Sequence, residues 1–101
     1  MDFKEYNHDN YLKIIVDEDG DSFDVFRNVI RFINENLKVE KSNFDNCYTE
    51  NSIGFFQING LKIYVEYSNW TGTLLKIQLP VGIEDKQLLY KVSEQILLGL
   101  E

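Results

Sequence analysis

Residues 53–79, IGFFQINGLKIYVEYSNWTGTLLKIQL, decide the fold. Asn59-Gly60 sits between alternating apolar residues, the strongest short-range signal for a two-residue hairpin. A type I′ turn needs positive φ at both central positions, which asparagine and glycine tolerate best. Such a turn sets Ile58 opposite Leu61 and Phe56 opposite Ile63. Phe56, Ile58, Leu61, Ile63, Val65 and Tyr67 then share one sheet face. Phe55, Gln57, Lys62, Tyr64 and Glu66 share the other. Residues 68–73, SNWTGT, predict a second and longer turn, and a last strand returns over 74–79. There Leu75, Ile77 and Leu79 alternate with Lys76 and Gln78.

Working upstream, residues 11–16, YLKIIV, form a short β-branched run bounded by DEDGD. Leu12, Ile14 and Val16 face one side. The extra apolar Ile15 on the other side predicts a strand inside the sheet or covered on part of both faces. Asp21 or Ser22 is placed to cap a helix over 23–37, where Phe23, Phe26, Ile30, Ile33 and Leu37 recur at spacings of three and four. Between 39 and 52 the turn-forming residues predict a loop, a short strand near 46–49 and a turn at Glu50-Asn51-Ser52. Residues 1–10 show no period and read as a loose lead, with Phe3 and Tyr6 tucked onto the body.

Downstream, Pro80 stops the last strand because it cannot donate to a ladder. A second helix is expected over 84–98, with Leu88, Leu89, Val92, Ile96 and Leu100 as its apolar stripe and Glu84 and Asp85 at its positive end. Leu100-Glu101 matches a cloning scar, so no functional claim rests on it. The expectation is one α+β domain over 1–101 in β-α-β-β-β-α order. It is a two-layer sandwich, an antiparallel meander with both helices on the face of Phe56, Ile58, Ile63 and Val65.

At 101 residues, with 44% hydrophobic and 27% charged residues, the chain has the composition of a globular domain with a modest core. No apolar run reaches the roughly 18 residues of a membrane span, and the acidic start is unlike a secretory signal, so a cytoplasmic and bacterial context is the default. Cys47 is the sole cysteine and His8 the sole histidine, which excludes an intrachain disulfide and any Cys/His metal cluster. Cys47 is read as a small, partly buried residue rather than a nucleophile, since its one candidate base lies in the N-terminal lead.

The acidic run Asp17, Glu18, Asp19, Asp21 invites a calcium-loop reading. Counted from Asp17, however, position 6 is Ser22 rather than glycine and position 12 is Asn28 rather than glutamate. The run is better read as capping, solvated loop or an acidic contact surface. No glycine-rich phosphate loop, nucleophile elbow or histidine constellation is present. The expectation is accordingly no enzyme, no catalytic residue, no metal and no cofactor.

Two features remain as contact candidates. Trp70 lies in a polar turn, where the plainer expectation is that the loop folds back and buries it at the sheet edge. The alternative is an exposed anchor. Phe55 and Tyr64 are expected as cross-strand neighbours on a face the helices leave open, either as a stabilising pair or as a partner surface.

The net charge of −7 disfavours nucleic acid and anionic membranes and favours a basic protein partner. The functional expectation is an immunity- or antitoxin-like inhibitor that blocks a basic toxin, such as a nuclease, sterically and electrostatically, as a monomer or homodimer. Its candidate contacts are Asp17, Glu18, Asp19, Asp21, Phe55, Tyr64, Glu66 and Trp70. An acidic homodimeric chaperone or adaptor, and a phage-encoded inhibitor of a host defence nuclease, are the alternatives.

Overall fold

A computed structural model of the protein describes residues 4–20, 22–45 and 51–100. Its elements in chain order are β1 (Lys4–His8), β2 (Tyr11–Asp17), α1 (Phe23–Asn36), β3 (Lys41–Asn43), β4 (Asn51–Ile58), β5 (Leu61–Ser68), β6 (Gly72–Gln78) and α2 (Ile83–Gly99). The strands make one antiparallel sheet in the order β1-β2-β6-β5-β4-β3.

The β4–β5 hairpin has the expected register, with Ile58 opposite Leu61, Phe56 opposite Ile63 and Phe55 opposite Tyr64. Asn59 and Gly60 have φ of 50° and 79°, the left-handed pair that a type I′ turn requires. Strand β2 lies inside the sheet between β1 and β6, which accounts for the second apolar face at the half-buried Ile15.

Both helices pack on one face. Phe26, Val29 and Ile33 of α1 and Leu89, Val92 and Ile96 of α2 meet Leu12, Ile14, Phe56, Ile63, Val65 and Ile77 of the sheet. At about 25 cal/mol per Å² of apolar surface, burial of this set is the main stabilising term of the domain.

The structure departs from the sequence reading at several places. The expected loose lead is instead strand β1 over Lys4–His8. It pairs with β2 through a two-residue turn in which Asp9 and Asn10 both have positive φ (53° and 65°). Asp and Asn reach this region through local side-chain hydrogen bonding, so the turn is built without glycine. A short strand, β3 at Lys41–Asn43, pairs with Phe55–Gln57 where a loop was expected. The expected strand near 46–49, with Cys47, lies outside the described residues, as do Phe3, Asp21 and Glu101. Strand β4 begins at Asn51, where a turn was expected. Ser22 occupies the N-cap position of α1 but its side chain makes no capping hydrogen bond.

Candidate functional site

The candidate contacts separate into two places with opposite chemistry. The first is one end of the sheet, where the β2–α1 loop meets the β5–β6 turn. Ser68 pairs with Gly72, so Asn69, Trp70 and Thr71 form a three-residue loop closed by Gly72 at φ 71°. The Ser68 hydroxyl oxygen accepts from the backbone N–H groups of Trp70 (3.3 Å) and Thr71 (3.0 Å), which fixes the loop from inside.

That turn presses directly on the acidic loop. A Cβ at Gly20 would stand 1.9 Å from the Asn69 carbonyl oxygen, and one at Gly72 would stand 2.0 Å from the Asp17 carbonyl oxygen. Tyr67, 2% exposed, donates its hydroxyl proton to the Gly20 carbonyl, and Asn69 Oδ1 lies 3.2 Å from the same hydroxyl. The Tyr67 ring meets Phe23 edge-on at 5.2 Å, which ties the first turn of α1 to the same joint.

Trp70 is not buried at the sheet edge, as the plainer expectation had it; it is 93% exposed. Its loop is held by backbone contacts and by Ser68, none of which needs the indole, so the ring is left in solvent. Asp17, Glu18 and Asp19 stand beside this turn, with Glu18 and Asp19 exposed. Glu18 pairs with Lys4, and the Asp19 N–H donates to Asp17 Oδ1 at 3.3 Å.

The second place is the sheet face opposite the helices, on which no described helix or strand lies. Phe55 and Tyr64 are ring neighbours at 6.4 Å, as expected, and Tyr11 meets Tyr64 edge-on at 6.1 Å. Glu66 does not offer a free carboxylate there. It forms a 2.6 Å ion pair with Lys76, with only 29% and 14% of the two side chains exposed. Lys62 Nζ lies 4.2 Å from the Phe55 ring centre and 5.2 Å from that of Tyr64. The two aromatic candidates are thus roofed by an ammonium group, which is the wrong sign for a basic partner.

Strands β1, β2 and β3 extend this face with Tyr6, Tyr11, Lys13 and Lys41, none of which the sequence reading assigned to a contact surface. A signal was present in the alternation of YLKIIV, but it acquires meaning only once β2 is known to pair with β6.

Tyr90 of α2 donates to Glu5 Oε2 of β1 at 2.6 Å. That hydrogen bond, followed by burial and the nearby negative charge, raises the phenol above its ordinary value of 10.0. Among the described residues, no three or more His, Cys, Asp or Glu side chains are grouped to hold a metal ion, and no helix is long and apolar enough to cross a membrane. Comparison with protein-family models, with curated proteins and with solved structures finds no match to this chain.

Proposed function

We propose that the protein is a binding domain that occludes a basic protein partner, in the manner of an immunity or antitoxin-like inhibitor, and that it does so with the Trp70 end of the sheet. The observation that carries this reading is a tryptophan 93% exposed on a braced turn, packed against a carboxylate-rich loop. Tryptophan concentrates interface energy when a partner buries it, and a turn already ordered in the free protein has little further entropy to lose. The neighbouring carboxylates and the net charge of −7 steer a cationic surface towards it. A basic nuclease toxin has the matching chemistry. A phage-encoded inhibitor of a host defence nuclease would use the same contacts. Blockade requires no cofactor and no catalytic residue.

A second reading, an acidic homodimer acting as chaperone or adaptor, is favoured by strand β1. It is exposed over its whole length, and as an edge strand it leaves one side of its backbone unpaired within the sheet. Sedimentation separates the two: a stable dimer with no basic ligand supports the second.

The test of the first is affinity capture from cells of the source organism with the wild-type protein, Trp70→Ala and Asp17→Lys/Asp19→Lys. Wild type should retain a basic protein whose toxicity is relieved on co-expression, and both variants should lose it. Equal capture by all three proteins, or capture of an acidic protein alone, overturns the reading.

A further inference from the structure

We infer that the open sheet face is a second binding surface, separate from the Trp70 end, and that it takes an extended acidic segment of a protein. The inference rests on charge segregation. The whole chain carries 17 Asp and Glu against 10 Lys and Arg, yet the register places Lys4, Lys13, Lys41, Lys62 and Lys76 on this face. The one carboxylate among its described strand residues is Glu66, already committed to Lys76. Lys4 is committed to Glu18. Lys13, Lys41 and Lys62 have no carboxylate partner among the described residues.

Two of these cations are held in place rather than waving in solvent. Lys62 lies over Phe55 and Tyr64, and Lys13 lies 5.8 Å from the Tyr6 ring centre and 3.3 Å from His8 Nδ1. Cation–π contact of this kind orders the ammonium and leaves its outer side free to accept an anion.

Their spacing decides the occupant. Lys41 and Lys62 both stand opposite Gln57, on strands either side of β4, and are therefore about 10 Å apart across the sheet. Lys13 is on the far side of β6. Cations spread in this way do not converge on a single phosphate-sized anion. An extended chain, with same-side residues about 7 Å apart, presents carboxylates at separated points and so reaches more than one of these cations through their flexible side chains.

Beside the lysines, Ile53 is 46% exposed and Ile15 half-buried at the two ends of a cross-strand line whose middle is the buried Leu74 and the Lys76-paired Glu66. An acidic segment carrying aliphatic side chains meets the lysines with its carboxylates and the exposed Ile53 with an aliphatic group. Single-stranded nucleic acid fits less well. Its bases need free ring faces, which lysines occupy at Phe55, Tyr64 and Tyr11, and its unbroken phosphate charge meets the net −7 of the protein.

The test uses the full chain, isotope-labelled, titrated with three probes: an alternating glutamate–valine peptide, its lysine–valine counterpart and a deoxythymidine oligonucleotide. The glutamate peptide should shift the amide resonances of Lys13, Lys62, Tyr64 and Ile53. Lys13→Gln/Lys62→Gln should weaken it at least tenfold. Lys86→Gln/Lys91→Gln on α2, which removes the same charge elsewhere, should leave it within twofold. Equal weakening by both pairs, or equal binding of the lysine peptide, overturns the inference. Shifts produced by the oligonucleotide and not by the glutamate peptide replace the proposed occupant with nucleic acid.

Discussion

The Tyr67 hydroxyl, buried on the helix side of β5, donates to the Gly20 carbonyl oxygen 47 residues earlier in the chain. This contact joins the acidic loop, the start of α1 and the Trp70 turn into one unit, because the same ring touches Phe23 and Phe26. Tyr67→Phe keeps the packing and removes the donor. A half-buried carbonyl deprived of its partner costs about 1 kcal/mol, so urea denaturation should show a loss of that size. Hydrogen exchange at residues 18–20 should speed up while the β4–β5 hairpin stays protected.

Gly72 is required twice over, by its φ of 71° and by the Asp17 carbonyl where a Cβ would stand. Gly72→Ala should therefore destabilise by about 2 kcal/mol or more, whereas Gly60→Ala, with open space around it, should cost only its backbone strain of about 1 kcal/mol. Thermal melts of the two variants check the order.

How much of this was legible in the sequence follows from the range of each interaction. The Asn59-Gly60 turn and both helices are written in local patterns, and the structure has them where those patterns place them. Strand β1 was hidden because its turn uses Asp9-Asn10 rather than glycine, and because KEYNH buries nothing and so shows no apolar alternation. The candidate site was half legible. Asp17, Glu18, Asp19 and Trp70 were each visible, but their proximity depends on the β2–β6 pairing, which no local signal reports. The basic character of the open face was not legible for a related reason. A net charge says nothing of where the lysines gather, and they gather on the alternate residues that face away from the helices.

Lys76 and Glu66 are diagonal neighbours on that face, a close ion pair with Leu74 opposite Glu66. Lys76→Met alone leaves a half-buried carboxylate without its partner and should cost about 1–2 kcal/mol. The double variant Glu66→Leu/Lys76→Met should recover most of that loss. A double-mutant cycle by denaturant titration gives the coupling, and a coupling near zero would place the pair among solvent-screened surface bridges.

The Tyr90–Glu5 contact sets an alkaline limit. Because the folded state holds the phenol proton more tightly than the unfolded chain, the stability it contributes is fully present below the ordinary value of 10.0 and is lost as pH rises through the raised folded value. Wild type should lose stability above pH 10 more steeply than Tyr90→Phe. Glu5→Gln should return the phenol towards its ordinary value in an ultraviolet titration. Superimposable alkaline melts of wild type and Tyr90→Phe would contradict this.

Trp70 is the single tryptophan of the chain, so its fluorescence reports the proposed binding surface directly. Being 93% exposed, it should be removable by Trp70→Ala within about 0.5 kcal/mol of wild-type stability. It should also be quenched by acrylamide almost as freely as an indole in water. The decisive measurement is that quenching repeated in the complex with the captured basic protein, using a partner whose tryptophans have been replaced. A blue-shifted emission and quenching reduced several-fold are expected. Emission and quenching unchanged at saturation would mean that the partner binds elsewhere, and would contradict the assignment of the Trp70 end as the binding site.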